Sequence, residues 1–219
     1  MLTLPVEAGR AAADRPARIL AIGRSETVLS ELVTILREKG YAAGATNEFD
    51  RTLDLFDAGQ LDLVVFGGMV PPDTKERLRQ RISTRNPAVV FVQGYAGIPG
   101  LIAEQVEAAV SSSSVSGPAA SASYDAQTRK VGISLDVPQH VTVIAWWHTS
   151  FVPPEPKSTS WVILHEELPV GAHTIAIPDE VPAQASFATV AVGQSVRAFI
   201  VGPMPSGTTM ARFPDPSSP

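Results

Sequence analysis

Leu61-Asp62-Leu63-Val64-Val65-Phe66-Gly67-Gly68-Met69-Val70-Pro71 is the stretch on which the fold turns. Its first six residues are apolar on both alternating faces apart from Asp62, the pattern of a strand covered above and below in a parallel sheet. Working outward, Arg18 to Gly23 (RILAIG) has the same character and ends on glycine. Ser25 then stands as an N-cap for a helix running to about Lys39, with Val28, Leu29, Leu32, Ile35 and Leu36 at helical spacing and Gly40 as its stop. Tyr41 to Thr46 reads as a weaker strand, Phe49 to Ala58 as a second helix, Lys75 to Thr84 as a third, Ala88 to Val92 as a fourth strand and Pro99 to Val110 as a last helix. Strands separated by helices call for parallel pairing through right-handed crossovers, so residues 16–110 are expected to form an open parallel α/β sheet.

Past Val110 the composition changes. Residues 111–121 are mostly Ser, Ala and Gly, with little to bury, and read as a linker. From 122 to 204 β-branched and aromatic residues alternate between regularly spaced turn residues. Strands are expected near Ala122–Asp125, Lys130–Asp136, His140–Trp147, Ser160–His165, His173–Ile177, Ala185–Val192 and Ser195–Val201, with tight turns at Ala126–Arg129 and at Gly193-Gln194. Seven short strands without a helical period predict a small antiparallel β-sandwich of the immunoglobulin or fibronectin kind. Residues 205–219 form a Pro- and Ser-rich tail. The fold class is therefore α/β plus all-β.

Composition removes several function classes. The chain of 219 residues contains no cysteine, which excludes a disulfide framework, thiolate metal sites and a cysteine nucleophile. A net charge of −5, with no basic excess in either half, argues against nucleic acid as a partner. The opening residues show no secretory pattern and no run approaches the length of a membrane span, so the expected location is the cytoplasm, with no membrane partner.

The first half resembles the receiver domain of bacterial response regulators, a flavodoxin-like fold, on the strength of Asp62 to Pro71. In that family an aspartate that accepts phosphate ends the strand, four positions before a proline. Gly67 occupies that place here. Gly23 and Arg24 stand where the family's magnesium-holding acidic pair follows the first strand, Val92 or Gln93 where its hydroxyl ends the fourth, and its lysine and fifth strand have no counterpart. The resemblance implies a pseudo-receiver unable to carry aspartyl phosphate, because glycine supplies neither a nucleophile nor an oxygen ligand.

The strand ends gather Arg24, Ser25, Gly67, Gly68, Gln93 and Gly94, where open α/β sheets bind ligands, and Arg24 beside a helix N-terminus suits a small anion or nucleotide. No dinucleotide fingerprint or Walker lysine accompanies them, and the turn 94–100 reads as a plain turn in place of a lost helix rather than as a phosphate loop. Arg77, Arg81 and Arg85 on the third helix suit an acidic protein partner or are simply solvated. Trp146 and Trp147 must point to opposite faces of one strand, one toward the core and the other exposed or half covered, the more exposed ring being the candidate for a partner. His140, His148, His165 and His173 lie close in sequence but lack metal-ligand spacing, so no metal and no cofactor is expected. No nucleophile elbow or catalytic triad declares itself. The resulting expectation is a non-catalytic bacterial regulatory or adaptor protein that binds an unidentified protein partner, with a homodimer as one mode of association. A small-anion sensor and a structural assembly subunit are the rival readings.

Overall fold

Ile19, Leu20, Ala21 and Ile22 are all shielded from solvent, and they divide by parity: Ile19 and Ala21 enter one apolar core, Leu20 and Ile22 another. Leu63 and Val65 against Val64 and Phe66 divide in the same way. A sheet with a period of two and both faces buried must carry helices on each side. The computed structural model, which describes residues 2–7, 16–95, 97–112, 120–150, 157–193 and 195–203, has this architecture.

The first half runs β1 (Thr3–Glu7), β2 (Arg18–Ile22), α1 (Glu26–Glu38), β3 (Ala42–Thr46), α2 (Thr52–Leu55), β4 (Leu63–Phe66), α3 (Pro72–Arg85), β5 (Val90–Gln93) and α4 (Pro99–Ser112). The strand order is β1-β3-β2-β4-β5. β3, β2, β4 and β5 are parallel, whereas β1 lies antiparallel to β3, with Thr3 opposite Thr46 and Leu4 opposite Ala45. α1 and α4 cover one face through Leu29, Leu32, Leu36, Ile102 and Val106, and α3 covers the other through Leu78 and Ile82.

Three expectations need correction here. The sheet is mixed and not wholly parallel, and it begins well before residue 16, because β1 joins its edge. Pro5 hid that strand, yet proline is tolerated at an edge where no neighbour needs its missing N–H. The continuous helix expected over Phe49–Ala58 is a 3₁₀ turn, the single turn α2 and a second 3₁₀ turn, broken where Phe56 adopts an extended backbone. α3 starts at Pro72, three residues earlier than the pattern suggested, since proline's fixed φ suits the first turn.

α4 continues through residues 111 and 112, and the next strand starts at Ala120, so the Ser-rich connection is shorter than expected; residues 113–119 lie outside the described residues. The second half is β6 (Ala120–Asp125), β7 (Lys130–Leu135), β8 (Gln139–Ser150), β9 (Lys157–Leu168), β10 (Gly171–Ala176), β11 (Ser186–Val192) and β12 (Ser195–Gly202). They form two antiparallel sheets, β10-β7-β6 and β12-β11-β8-β9. Val131, Ile133 and Leu135 of the first sheet share a core with Val141, Val143, Val190 and Val192 of the second. The β6–β7 turn is held by the Asp125 carboxylate, which accepts from Gln127 N–H and Thr128 Oγ1, and closes on Arg129 at φ 53°. The Pro-rich tail from 205 onward lies outside the described residues.

The halves are joined by a small apolar cluster in which Ile98 and Leu101 of the first meet Phe187, Trp146 and Ala198 of the second. Gly100 makes this contact possible: a Cβ there would stand 2.6 Å from Trp146 Cη2. Among the described residues no helix is long and apolar enough to cross a membrane.

Candidate functional site

The carboxyl ends of β2 and β4 open into a small pocket of about 90 Å³ lined by Gly23, Arg24, Ser25, Gly67, Gly68 and Met69, with apolar walls from α1. Four of the six residues expected at a ligand site therefore converge. Gln93 and Gly94 do not join them. Gln93 turns its amide to donate to the carbonyls of Phe66 and Gly94 and to accept from Lys75 Nζ at 2.9 Å, while Gly94 is wedged against Ile102 and Val65.

Each polar group in the pocket already has local work. Ser25 Oγ accepts from the Val28 N–H and caps α1, and Glu26 fills that helix's first turn with negative charge. An incoming anion would meet that carboxylate, which cancels part of the helix-terminus attraction. Arg24 Nε donates to the Met69 carbonyl at 3.0 Å, and its guanidinium lies 5.9 Å from the centre of the Phe49 ring. Arg24 is thus a strap between the β2–α1 and β4–α3 turns.

Gly67 is held by its surroundings as well as by its sequence. Its N–H donates to the Ile22 carbonyl at 2.8 Å, and a Cβ would come within 3.3 Å of the Gly23 Cα. The β4 turn approaches Gly23 closely because Gly67 carries no side chain, whereas a Cβ on Gly23 would meet Leu29 of α1. Among the described residues, no group of three or more His, Asp or Glu side chains is placed to hold a metal ion. None of the described residues lining the pocket is an acid.

On α3, Arg77 pairs with Asp50 at 2.6 Å, whereas Arg81 and Arg85 project into solvent at the same helical spacing. Arg79, between them in sequence, lies over both Phe66 and Phe91, which are themselves stacked. Lys75 is held below the usual lysine range by burial and, secondarily, by repulsion from Arg79.

Trp146 and Trp147 do point to opposite faces, and both are half-buried, so neither is an exposed ring open to a partner. Trp147 packs in the sandwich core, and Trp146 is covered by Gly100 and Ile98 while its Nε1–H donates to Thr189 Oγ1 at 2.9 Å. The face expected to meet a foreign protein meets the α/β half of its own chain. The exposed tryptophan is Trp161. Of the histidines, His140 and His165 stack edge to face at 4.4 Å, with His165 Nδ1 also bound to Thr142 Oγ1, and His173 contacts the Pro169 carbonyl.

One residue that sequence reasoning missed lies against the outer edge of β5. Gln105 on α4 donates from Nε2 to the Gln93 carbonyl and accepts at Oε1 from the Tyr95 N–H. A residue of a parallel neighbouring strand would bond these same two groups, two positions apart. The side-chain amide imitates one peptide unit and closes the β5 edge. Beside it lies a cleft of about 360 Å³ between the halves, lined by Val92, Tyr95, Gln105, Ala109, Val196 and Ala198.

Neither a protein-family model nor a curated protein matches the chain. Among solved structures, a β-glucosidase from Listeria innocua in complex with glucose aligns over 93% of this chain at 9% identity and a TM-score of 0.32. The chain spans about half the length of that protein, 48%. A likeness of this size carries no argument about fold or activity.

Proposed function

We propose that the chain is a non-catalytic regulatory or adaptor protein, built from a phosphorylation-incompetent receiver-like domain and an immunoglobulin- or fibronectin-like sandwich, and acting through protein–protein contacts in the cytoplasm. The observation that carries this reading is glycine at position 67, at the end of β4, where the receiver resemblance calls for an aspartate and where a Cβ would already crowd the Gly23 Cα at 3.3 Å. Supporting it, the strand order β3-β2-β4-β5 suits a receiver whose last strand has been lost, with Gln105 in its place. The free guanidinium groups of Arg81 and Arg85 give an acidic partner a docking face that is separate from the strand-end pocket.

The anion-sensor reading is weaker, because Arg24 and Ser25 spend their polar groups on Met69 and on the cap of α1. The test is incubation of the wild-type chain and a Gly67→Asp variant with magnesium and a small-molecule phosphodonor, followed by intact-mass measurement. No acid-stable, alkali-labile phosphate adduct is expected on either. An adduct on the wild-type chain overturns the proposal; one on the variant alone means that the site had kept everything except its nucleophile.

A further inference from the structure

The outer face of β8 and β9 brings together two histidines that the sequence holds far apart. Val141 and Val143 enter the sandwich core, so His140 and Thr142 project from the other face of β8. In the ladder Thr142 is opposite His165 and His140 is opposite Glu167, which sets His165 and Glu167 on that same outer face. His140 and His165 are therefore diagonal cross-strand neighbours; both are exposed, and their ring centres lie 4.4 Å apart. No spacing along the chain announces such a pair, because its members belong to different strands.

The separation suits a shared ion. Two imidazoles that each place a nitrogen about 2 Å from one metal, at right angles to each other, have their ring centres about 4.5 Å apart. A right angle between nitrogen donors is the preference of copper(II) and nickel(II), and imidazole is a ligand that both accept. The backbone is fixed on both sides of the pair, since β8 is bonded to β11 as well as to β9. His165 is also oriented: its Nδ1 lies 3.0 Å from Thr142 Oγ1. In the tautomer that donates Nδ1–H to that hydroxyl, Nε2 carries the lone pair a metal needs, and a hydrogen bond of this kind is what commonly aims a ligating histidine. The remaining histidines are placed otherwise. His148 is buried, and His173 Nε2 meets the Pro169 carbonyl.

We propose that His140 and His165 form a two-histidine site for a late divalent transition metal, copper(II) foremost, with Thr142 as a positioning residue and the acidic Glu167 adding favourable charge beside it. Two protein donors leave the other coordination positions to water, in keeping with the finding that no three His, Asp or Glu side chains converge among the described residues. The site is thus an open, exchangeable one and not a closed structural centre. This goes beyond the adaptor reading and does not depend on it.

The test is calorimetric titration of the full chain with copper(II), together with electron paramagnetic resonance of the complex at one equivalent. The wild-type chain is expected to take up one ion through two nitrogen donors, more tightly than it takes nickel(II) or zinc. His140→Ala and His165→Ala change exposed side chains, and circular dichroism checks that each variant is folded. Each should weaken binding by at least about tenfold, and the double variant should be little weaker than either, because a chelate fails once one arm is removed. Thr142→Val should weaken binding about tenfold while both nitrogens stay in the spectrum, and Thr142→Ser should restore it. His173→Ala should change nothing. A double variant that binds copper(II) as the wild-type chain does, or losses in the two single variants that simply add, overturns the proposal.

Discussion

Replacing Gly100 with alanine should destabilise the protein even though alanine is the better helix former. A side-chain carbon at this position would lie 2.6 Å from Trp146 Cη2, and carbon pairs settle near 3.5 Å, so the indole must retreat by roughly 1 Å. It is not free to do so, because its Nε1–H is bound to Thr189 Oγ1 and its ring is packed among Ile98, Leu101 and Phe187. Forcing one extra carbon into a filled contact costs about 1–3 kcal/mol. Against that, exchanging glycine for alanine in a helix gains at most about 1 kcal/mol, and less in a first turn. The net expectation is a loss of about 1–2 kcal/mol in urea unfolding followed by circular dichroism. The decisive comparison places the same change in a Trp146→Ala background. With the ring gone, only the helix preference remains, so Gly100→Ala should become neutral or stabilising, a coupling of roughly 2 kcal/mol between the two positions. Equal effects in both backgrounds would refute the claim that this glycine exists to admit that tryptophan.

Two further outcomes follow from the same geometry. Gln105→Leu keeps the volume on α4 but strips the Gln93 carbonyl and the Tyr95 N–H of their partner, so it should cost about 1–3 kcal/mol and speed hydrogen exchange at the Tyr95 amide. An unchanged amide would show that the side chain does not act as a strand. Lys39 donates to Glu104 at 3.1 Å and Glu107 at 2.6 Å, tying the end of α1 to α4. Burial alone would lower its pKa, but the hydrogen bonds and charges of Glu107 and Glu104 outweigh burial and hold it above the ordinary 10.5. A pKa raised on folding gives stability that is complete below the unfolded value and is lost as pH climbs through the folded one. Melting temperature should therefore fall above pH 10.5 more steeply in the wild-type chain than in Lys39→Met. At neutral pH the variant should lose less than about 1 kcal/mol, because the pair is partly exposed and screened.

The parts of this molecule that were legible in its sequence are those whose side chains report their own surroundings. Leu63 to Phe66 are buried on both faces and are apolar without a break, and β6, β7, β8 and β10 alternate because one face of each meets the core. β1 was illegible for the opposite reason. Nothing in Thr3 to Glu7 demands a strand, and its place is set by the β3 edge and by Asn47, whose Oδ1 accepts from the Leu2 N–H.

The candidate site divides along the same line. That position 67 is glycine is visible in the string; that a Cβ there would press on Gly23 is visible only once β2 and β4 are paired. Trp146 and Trp147 show where pattern reading stops. Alternation separates their faces correctly, but it supplies no information about what lies beyond each face. Here the second face is covered by a helix from the other half of the chain, so the ring that looked available to a partner holds the molecule together. Among the large apolar side chains that the fold does leave exposed, Trp161 and Val162 are neighbours on β9 opposite Ala145 and Ile144, and so lie on opposite faces of the sheet, where alternation alone again says nothing of what each face meets.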